Sequence, residues 1–397
     1  MIIEAKLKGN VSRAAHPYGC REMIKLQIDY VRAQGRFEGP KKVLILGASS
    51  SYGLASRIVT AFGAGADTIG VSFEKGISDE RLATAGWWNN IFFKQEAEKE
   101  GLIAKNFIGD AFSKEMLEDV ITYIKEEFGG SIDLLVYSLA SGIRKDPETG
   151  VTYRSAIKPI GEAVRGTNIH LETETLFEQE VQPATEEEIE HTVKVMGGED
   201  WERWVKGLHE AGVLAQSFKT TLYSYIGPEV TQAFYGGGTL GMAKRHAEET
   251  AVVLNEYLKE RISGEAVICV SKAVTTKASA VIPTFPIYAA ALYKVMLAKG
   301  LHETPIMHKY RFFREMLYGT GREFDGQGRL RPDYWEMRED VQREVNAQMG
   351  RINEENIREL TALDVFQKEF LQLNGFEVEG VDYSEEIDLE ELKLLEP

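Results

Sequence analysis

From residue 41 onward, short aliphatic and β-branched runs alternate with amphipathic stretches. The apolar runs fall at 43–46, 68–73, 104–108, 132–137, 219–223 and 266–270, and helical patterns lie between them at about 53–62, 114–128, 199–211 and 242–261. Strands that alternate with helices in this way predict an α/β fold, a parallel sheet covered by helices.

Two stretches depart from the alternation. Residues 141–196 are too long for an ordinary βα connection and are rich in Pro, Gly and Thr, so they predict an insert with its own hairpins. Its expected strands are 151–157 and 169–176, and 185–190 starts like an acidic helix N-terminus. From Gly300 the amphipathic stretches, such as 340–349, lack preceding strands and predict a helical extension. The apolar run 287–297, interrupted by Lys294, is read as a buried helix. No repeat or Pro/Gly/Ser linker separates independent units. The expectation is one enlarged domain with an N-terminal arm, a core at about 41–300, the insert at about 141–196 and the extension at about 301–397.

Composition narrows the function classes. Among 397 residues, 43% are hydrophobic and 27% charged, the balance of a globular chain with a large core. A formal net charge of -16 argues against a nucleic-acid partner, which requires a basic face. Cys20 and Cys269 belong to no ligand pattern, so neither a disulfide framework nor a metal site is expected. No run approaches the ~20 apolar residues of a membrane span, and the N-terminus lacks a secretory pattern. The expected location is cytoplasmic.

The first strand runs into Gly47-Ala48-Ser49-Ser50-Ser51-Tyr52-Gly53 and then a helix. A turn of small residues lets backbone approach a pyrophosphate, and the helix start favours its negative charge. Ser51 stands where related dehydrogenases usually have a middle glycine, and a non-glycine residue tolerates positive φ poorly. The second strand ends at Phe73-Glu74, with Glu74 21 residues after Gly53, where an acid bonds the adenosine ribose and repels a 2′-phosphate. That points to NADH, although Lys75 is a cation that accommodates a phosphate. Asp110-Ala111 and Leu139-Ala140 follow the third and fourth strands and fit the same crevice; Asp110 also suits a helix N-cap.

After the fifth strand come Tyr225, Tyr235 and Lys244. A phenol becomes a useful acid when a nearby ammonium stabilises its phenolate, and the lysine can also bond a nicotinamide ribose. Eight residues separate Tyr235 from Lys244, against three in ordinary short-chain dehydrogenases. Gly236, Gly237, Gly238 and Gly241 are poor helix formers, so Tyr235 is expected outside the helix carrying Lys244. Carbonyl reduction by a short-chain dehydrogenase and a non-catalytic NADH sensor are the rival readings. His16, Trp201 and Trp204 are read as structural, and Phe285, Tyr288 and Tyr293 suit either a core or an acyl pocket.

Tyr-x8-Lys with a tyrosine ten positions earlier resembles the FabV-type enoyl-acyl-carrier-protein reductases, including trans-2-enoyl-CoA reductases. The likeness covers nearly the whole chain: it extends through His16-Pro-Tyr-Gly-Cys20, Gly86-Trp-Trp-Asn-Asn90, Gly109-Asp-Ala-Phe112, Tyr137-Ser-Leu-Ala-Ser141, Val195-Met-Gly-Gly-Glu-Asp-Trp201, Lys272-Ala-Val-Thr-Thr-Lys-Ala-Ser279 and Asn374-Gly-Phe. It implies a Rossmann-like, doubly wound fold and a monomer that reduces an enoyl-CoA or an acyl-carrier-protein-bound enoyl group with NADH. It also implies Tyr235 as proton donor, Tyr225 at the substrate thioester and Lys244 at the cofactor. Gly47 to Tyr52, Phe73, Glu74, Asp110, Ala111, Leu139, Ala140, Ala273, Val274 and Thr275 would line NADH.

Overall fold

A computed structural model describes residues 1–78 and 81–397. Its central sheet contains β1 (Lys42–Leu46), β2 (Asp67–Ser72), β3 (Ala104–Ile108), β4 (Ile132–Tyr137), β5 (Leu214–Ser224) and β6 (Glu265–Val270). The spatial order is β6-β5-β4-β1-β2-β3, with every neighbouring pair parallel. The order reverses between β1 and β4, which opens a crevice at the carboxyl ends of the strands. The fold is therefore the expected doubly wound, Rossmann-like one.

Both sheet faces are covered. Val43 and Ile45 of β1 join Leu134 and Val136 of β4 on one face, while Leu44 and Leu46 join Leu135 and Tyr137 on the other. Burial on both sides removes any need for polar alternation, which is why these strands read as continuous apolar runs. Helices Pro17–Gln34, Ser51–Ile58, Ala85–Lys99 and Pro305–Arg311 contribute to the first core. Helices Lys114–Glu126, Glu199–Glu210 and Thr239–Ile262 contribute to the second. Trp201 and Trp204 are fully buried there.

All six expected strands are present; 104–108 and 132–137 keep their expected ends and the other four shift. The run 68–73 stops at Ser72, because Phe73 leaves the sheet and is 71% exposed. The run 219–223 extends back to Leu214 across a break in register, near which Ser217 adopts φ 61°. Two helices fall outside the expected set, Pro17–Gln34 and Ala85–Lys99; the first buries Cys20, Ile24, Ile28 and Val31 at helical spacing, whereas periodicity does not mark the second. The second buries Trp88, Asn89, Ile91, Phe92 and Phe93 in succession, so its sequence shows no polar stripe. The first starts at His16, whose Nδ1 accepts from the Gly19 N–H at 3.1 Å, and Pro17 supplies a preset φ.

The insert corrects two strand boundaries. Residues 151–157 supply only Thr152–Arg154, paired with Ile143–Lys145. Residues 169–176 are two strands, Val164–His170 and Thr175–Val181, joined by a turn where Glu174 adopts φ 56°. Alternation on either side of so short a turn looks continuous in sequence. Helix Glu186–Met196 begins as expected, its capping box made by Thr185 and Glu188.

The run 287–297 lies in helix Phe285–Ala298, where Lys294 and Leu297 are exposed and the rest of the run is buried. Around this helix a third core gathers Ile169 from the insert with Val341, Val345, Phe366 and Phe370 from helices Glu339–Met349 and Leu363–Gln372. Among the described residues, no helix is long and apolar enough to cross a membrane.

Candidate active site

The turn after β1 is shaped by contacts that exclude side chains. Gly47 adopts φ 86°, and a Cβ there would lie 2.3 Å from the Ser138 carbonyl oxygen at the end of β4. A Cβ on Gly53 would lie 1.9 Å from the Gly47 oxygen. Ser51 takes φ 50° as the first residue of helix Ser51–Ile58, so the dihedral that glycine usually supplies is reached by serine at a strain cost. No side chain caps this helix, and its first-turn N–H groups are open to an anion. A cradle this close to backbone fits a pyrophosphate.

The other cofactor candidates follow the carboxyl ends of the sheet strands. Ser49 Oγ donates to Glu74 Oε1 at 2.6 Å, and the Thr84 hydroxyl donates to Oε2, so Glu74 is held beside the turn. Asn89 Nδ2 donates to the Ser49 carbonyl at 2.9 Å. Asp110 accepts from the Phe112 N–H at 2.9 Å in a local turn; Ser113, not Asp110, caps the following helix. Ala111 is buried, Leu139 is partly buried and Ala140 is exposed at the end of β4. Ala273, Val274 and Thr275 follow β6 and are buried, with the Thr275 hydroxyl 2.9 Å from the Tyr293 hydroxyl.

Tyr235 ends the short helix Gln232–Tyr235, and Lys244 lies on the next helix, Thr239–Ile262. The glycines at 236–238 break the chain between them, as their sequence predicts. The Tyr225 and Tyr235 rings meet edge to face with centroids 4.6 Å apart, and the Lys244 ammonium donates to the Tyr223 carbonyl at 3.4 Å. Tyr225 and Tyr235 thus meet just past the end of β5, and Lys244 reaches the carbonyl of Tyr223 within that strand.

Electrostatics alter the expected pairing. Burial pulls the Lys244 ammonium down to about 8, with Glu248 opposing it. Burial pushes the Tyr235 hydroxyl up, and Glu336 adds to the rise whenever it is ionised. Tyr235 therefore remains a neutral O–H donor, and the lysine-stabilised phenolate expected from sequence is not supported by this arrangement.

Glu336 is the residue the sequence does not reveal. It is fully buried, and its Oε1 accepts from the hydroxyls of Tyr225 and Tyr288, each at 2.7 Å. Its Oε2 accepts from the Ala273 N–H at 2.5 Å. One carboxylate from the helical extension thus touches both the tyrosine group and the loop after β6. In sequence it is one acid among many in that extension, with no local signal.

A switch-point crevice and a glycine turn facing an acid just past the second strand are the marks of a dinucleotide-dependent enzyme. Residues 2–79 match the model described as the NAD(P)H binding domain of trans-2-enoyl-CoA reductase, and residues 81–318 match the trans-2-enoyl-CoA reductase catalytic region. The chain belongs to the trans-2-enoyl-CoA reductase family and is an NADH-dependent oxidoreductase. It is 55% identical to the NADH trans-2-enoyl-CoA reductase of Clostridium beijerinckii and 52% identical to NADH enoyl-acyl-carrier-protein reductase 2 of Photobacterium profundum, with 100% of each chain covered in both cases. The crystal structure of the Clostridium acetobutylicum trans-2-enoyl-CoA reductase in complex with NADH superposes with a TM-score of 0.98 at 51% identity, covering 100% of both chains.

Residues 324–387 match a model described as an enoyl reductase FAD binding domain. Here they form short helices whose apolar faces are used in the third core, with no strand–turn–helix unit to hold a second dinucleotide. No step is derived through a flavin.

Proposed function

We propose that this chain reduces the trans-2 double bond of an enoyl thioester, carried on coenzyme A or on acyl carrier protein, with Tyr235, Tyr225 and Lys244 as its working residues. The observation that carries the reading is the edge-to-face contact of Tyr225 and Tyr235 just past the end of β5, the strand whose Tyr223 carbonyl accepts from the Lys244 ammonium. The names of the relatives supply the substrate class.

NADH, when bound, supplies the hydride that reaches C3 of the enoyl group. Gly47, Ala48, Ser49, Ser50, Ser51 and Tyr52 hold its pyrophosphate side, and Glu74 with Phe73 receives the adenosine. Asp110, Ala111, Leu139, Ala140 and Ala273 to Thr275 line the rest of the crevice, where Lys244 bonds the ribose. As negative charge develops on the thioester oxygen, hydrogen bonds to it strengthen and lower the barrier. Tyr235 makes no hydrogen bond among the described residues, so its proton is available to that oxygen and then for protonation at C2. The first core joins Ile3 to Leu392 through the sheet, which supports a single enlarged domain. The proposed assembly and location are a cytoplasmic monomer, checked by light scattering and cell fractionation.

Mixing the protein with NADH and crotonyl-CoA, and following loss of the nicotinamide absorbance, tests the reaction. Acetoacetyl-CoA in the same assay tests carbonyl reduction. Turnover of the carbonyl compound alone, or of neither, rejects the proposal.

A further inference from the structure

We propose that Glu336 is a positioning residue for the reduction: as a carboxylic acid it donates to the Tyr225 oxygen and turns that tyrosine's single proton toward the substrate oxygen. The proposal rests on the reading that Tyr225 acts at the substrate.

The argument is a count of protons. A phenol has one O–H to donate. Tyr288 accepts from Gln342 Nε2 at 3.2 Å, which commits its own proton to Glu336 Oε1 at 2.7 Å. Glu336 Oε2 is occupied by the Ala273 N–H. If Glu336 is ionised, it also takes the Tyr225 proton, and Tyr225 has nothing left to donate to a thioester oxygen. If Glu336 carries a proton on Oε1, it donates to Tyr225 and frees the tyrosine's own proton. The remaining bonds can stay as they are, with Oε1 still accepting from Tyr288 and Oε2 from Ala273. Tyr225 is thus the member of the group whose direction can reverse.

The surroundings favour the acid form. Glu336 is fully buried, and burial raises its carboxyl above the ordinary carboxylate range; the tyrosine and backbone donors and Lys272 only partly oppose that rise. Lys272 is itself pulled down by burial. The other titratable groups facing Glu336 are Tyr225, Tyr288, Tyr235, Tyr52 and Tyr293, all neutral phenols shifted upward chiefly by burial.

The experiment compares Glu336→Gln and Glu336→Ala with the parent in NADH and crotonyl-CoA turnover from about pH 5.5 to 9, alongside NADH titration and melting temperature. Glu336→Ala should lower kcat about a hundredfold. Combined with Tyr288→Phe, which removes the proton that an amide nitrogen cannot accept, Glu336→Gln should restore it to within about threefold of Tyr288→Phe alone, because the amide oxygen accepts from Ala273 while Nε2 donates to Tyr225. At saturating NADH the parent's kcat should fall on the alkaline side as Glu336 ionises, and Glu336→Gln should lose that limb. A double variant as slow as the alanine variant, or a Glu336→Gln enzyme keeping the parent's alkaline limb, overturns the proposal. Should Glu336→Ala not fold, the limb of Glu336→Gln still decides. Tyr225→Phe separates the two readings: normal kinetics there reject the substrate role of Tyr225, whereas a slow Tyr225→Phe beside a slow double variant rejects only the role of Glu336.

Discussion

Replacing Gly47 with alanine probes the cofactor turn at a position where two costs can be separated. The first is conformational: Gly47 sits at φ 86°, and a left-handed L-residue costs about 1–2 kcal/mol. The second is contact. The new Cβ would stand 2.3 Å from the Ser138 oxygen and 2.8 Å from its carbonyl carbon, both backbone atoms that no rotamer change can move. Relief requires the exits of β1 and β4 to part, which strains the Ser138 N–H to Leu46 carbonyl bond of 2.9 Å, a bond worth about 1 kcal/mol. The expected total is about 2–3 kcal/mol, or a fall in melting temperature of about 3–4 °C in a chain of this size. Gly65 supplies the control: it lies at φ 70° with nothing within 4 Å of its missing Cβ, so Gly65→Ala carries the strain alone. Differential scanning fluorimetry and NADH fluorescence titration on both variants make the test. Gly47→Ala should melt lower than Gly65→Ala and bind NADH at least about tenfold more weakly, while Gly65→Ala keeps the parent affinity. Equal melting shifts with parent-like NADH binding in both would refute the close-approach argument.

Lys244 ties cofactor affinity to pH. Its ammonium, pulled down to about 8 by burial, is present below that value and lost as pH rises through it. The NADH dissociation constant should therefore rise above about pH 8, and a flat profile to pH 10 would remove Lys244 from the ribose; these pH limits follow the ordinary lysine range. Since burying an ammonium disfavours the fold below that pH, Lys244→Met should raise the apoprotein's melting temperature at pH 7 while weakening NADH. Glu74→Ala should raise the NADPH-to-NADH ratio of kcat/KM, because it removes a carboxylate held beside the phosphate turn by Ser49 and Thr84; an unchanged ratio points to Lys75 or another residue as discriminator. Tyr235→Phe should leave melting and NADH binding near the parent and remove most turnover, whereas near-normal turnover would take Tyr235 out of the reaction.

The sequence alone determined the parallel α/β core, because strands buried on both faces are apolar throughout and most of the helices between them keep one polar face. It also determined the break between Tyr235 and Lys244, since consecutive glycines cannot sustain a helix, and it marked the capped start of helix Glu186–Met196. What lay beyond it were relations between distant segments. Helix Ala85–Lys99 shows no periodicity because both the sheet and its neighbours cover it. Ser51 could be flagged in sequence, yet only packing could settle that it takes φ 50°. The place of Glu336 beside Tyr225, 111 positions away, was decided by the folding of the helical extension onto the crevice. A carboxylate's sequence neighbours carry no trace of such a contact, because its hydrogen bonds and its desolvation arise only when the cores assemble.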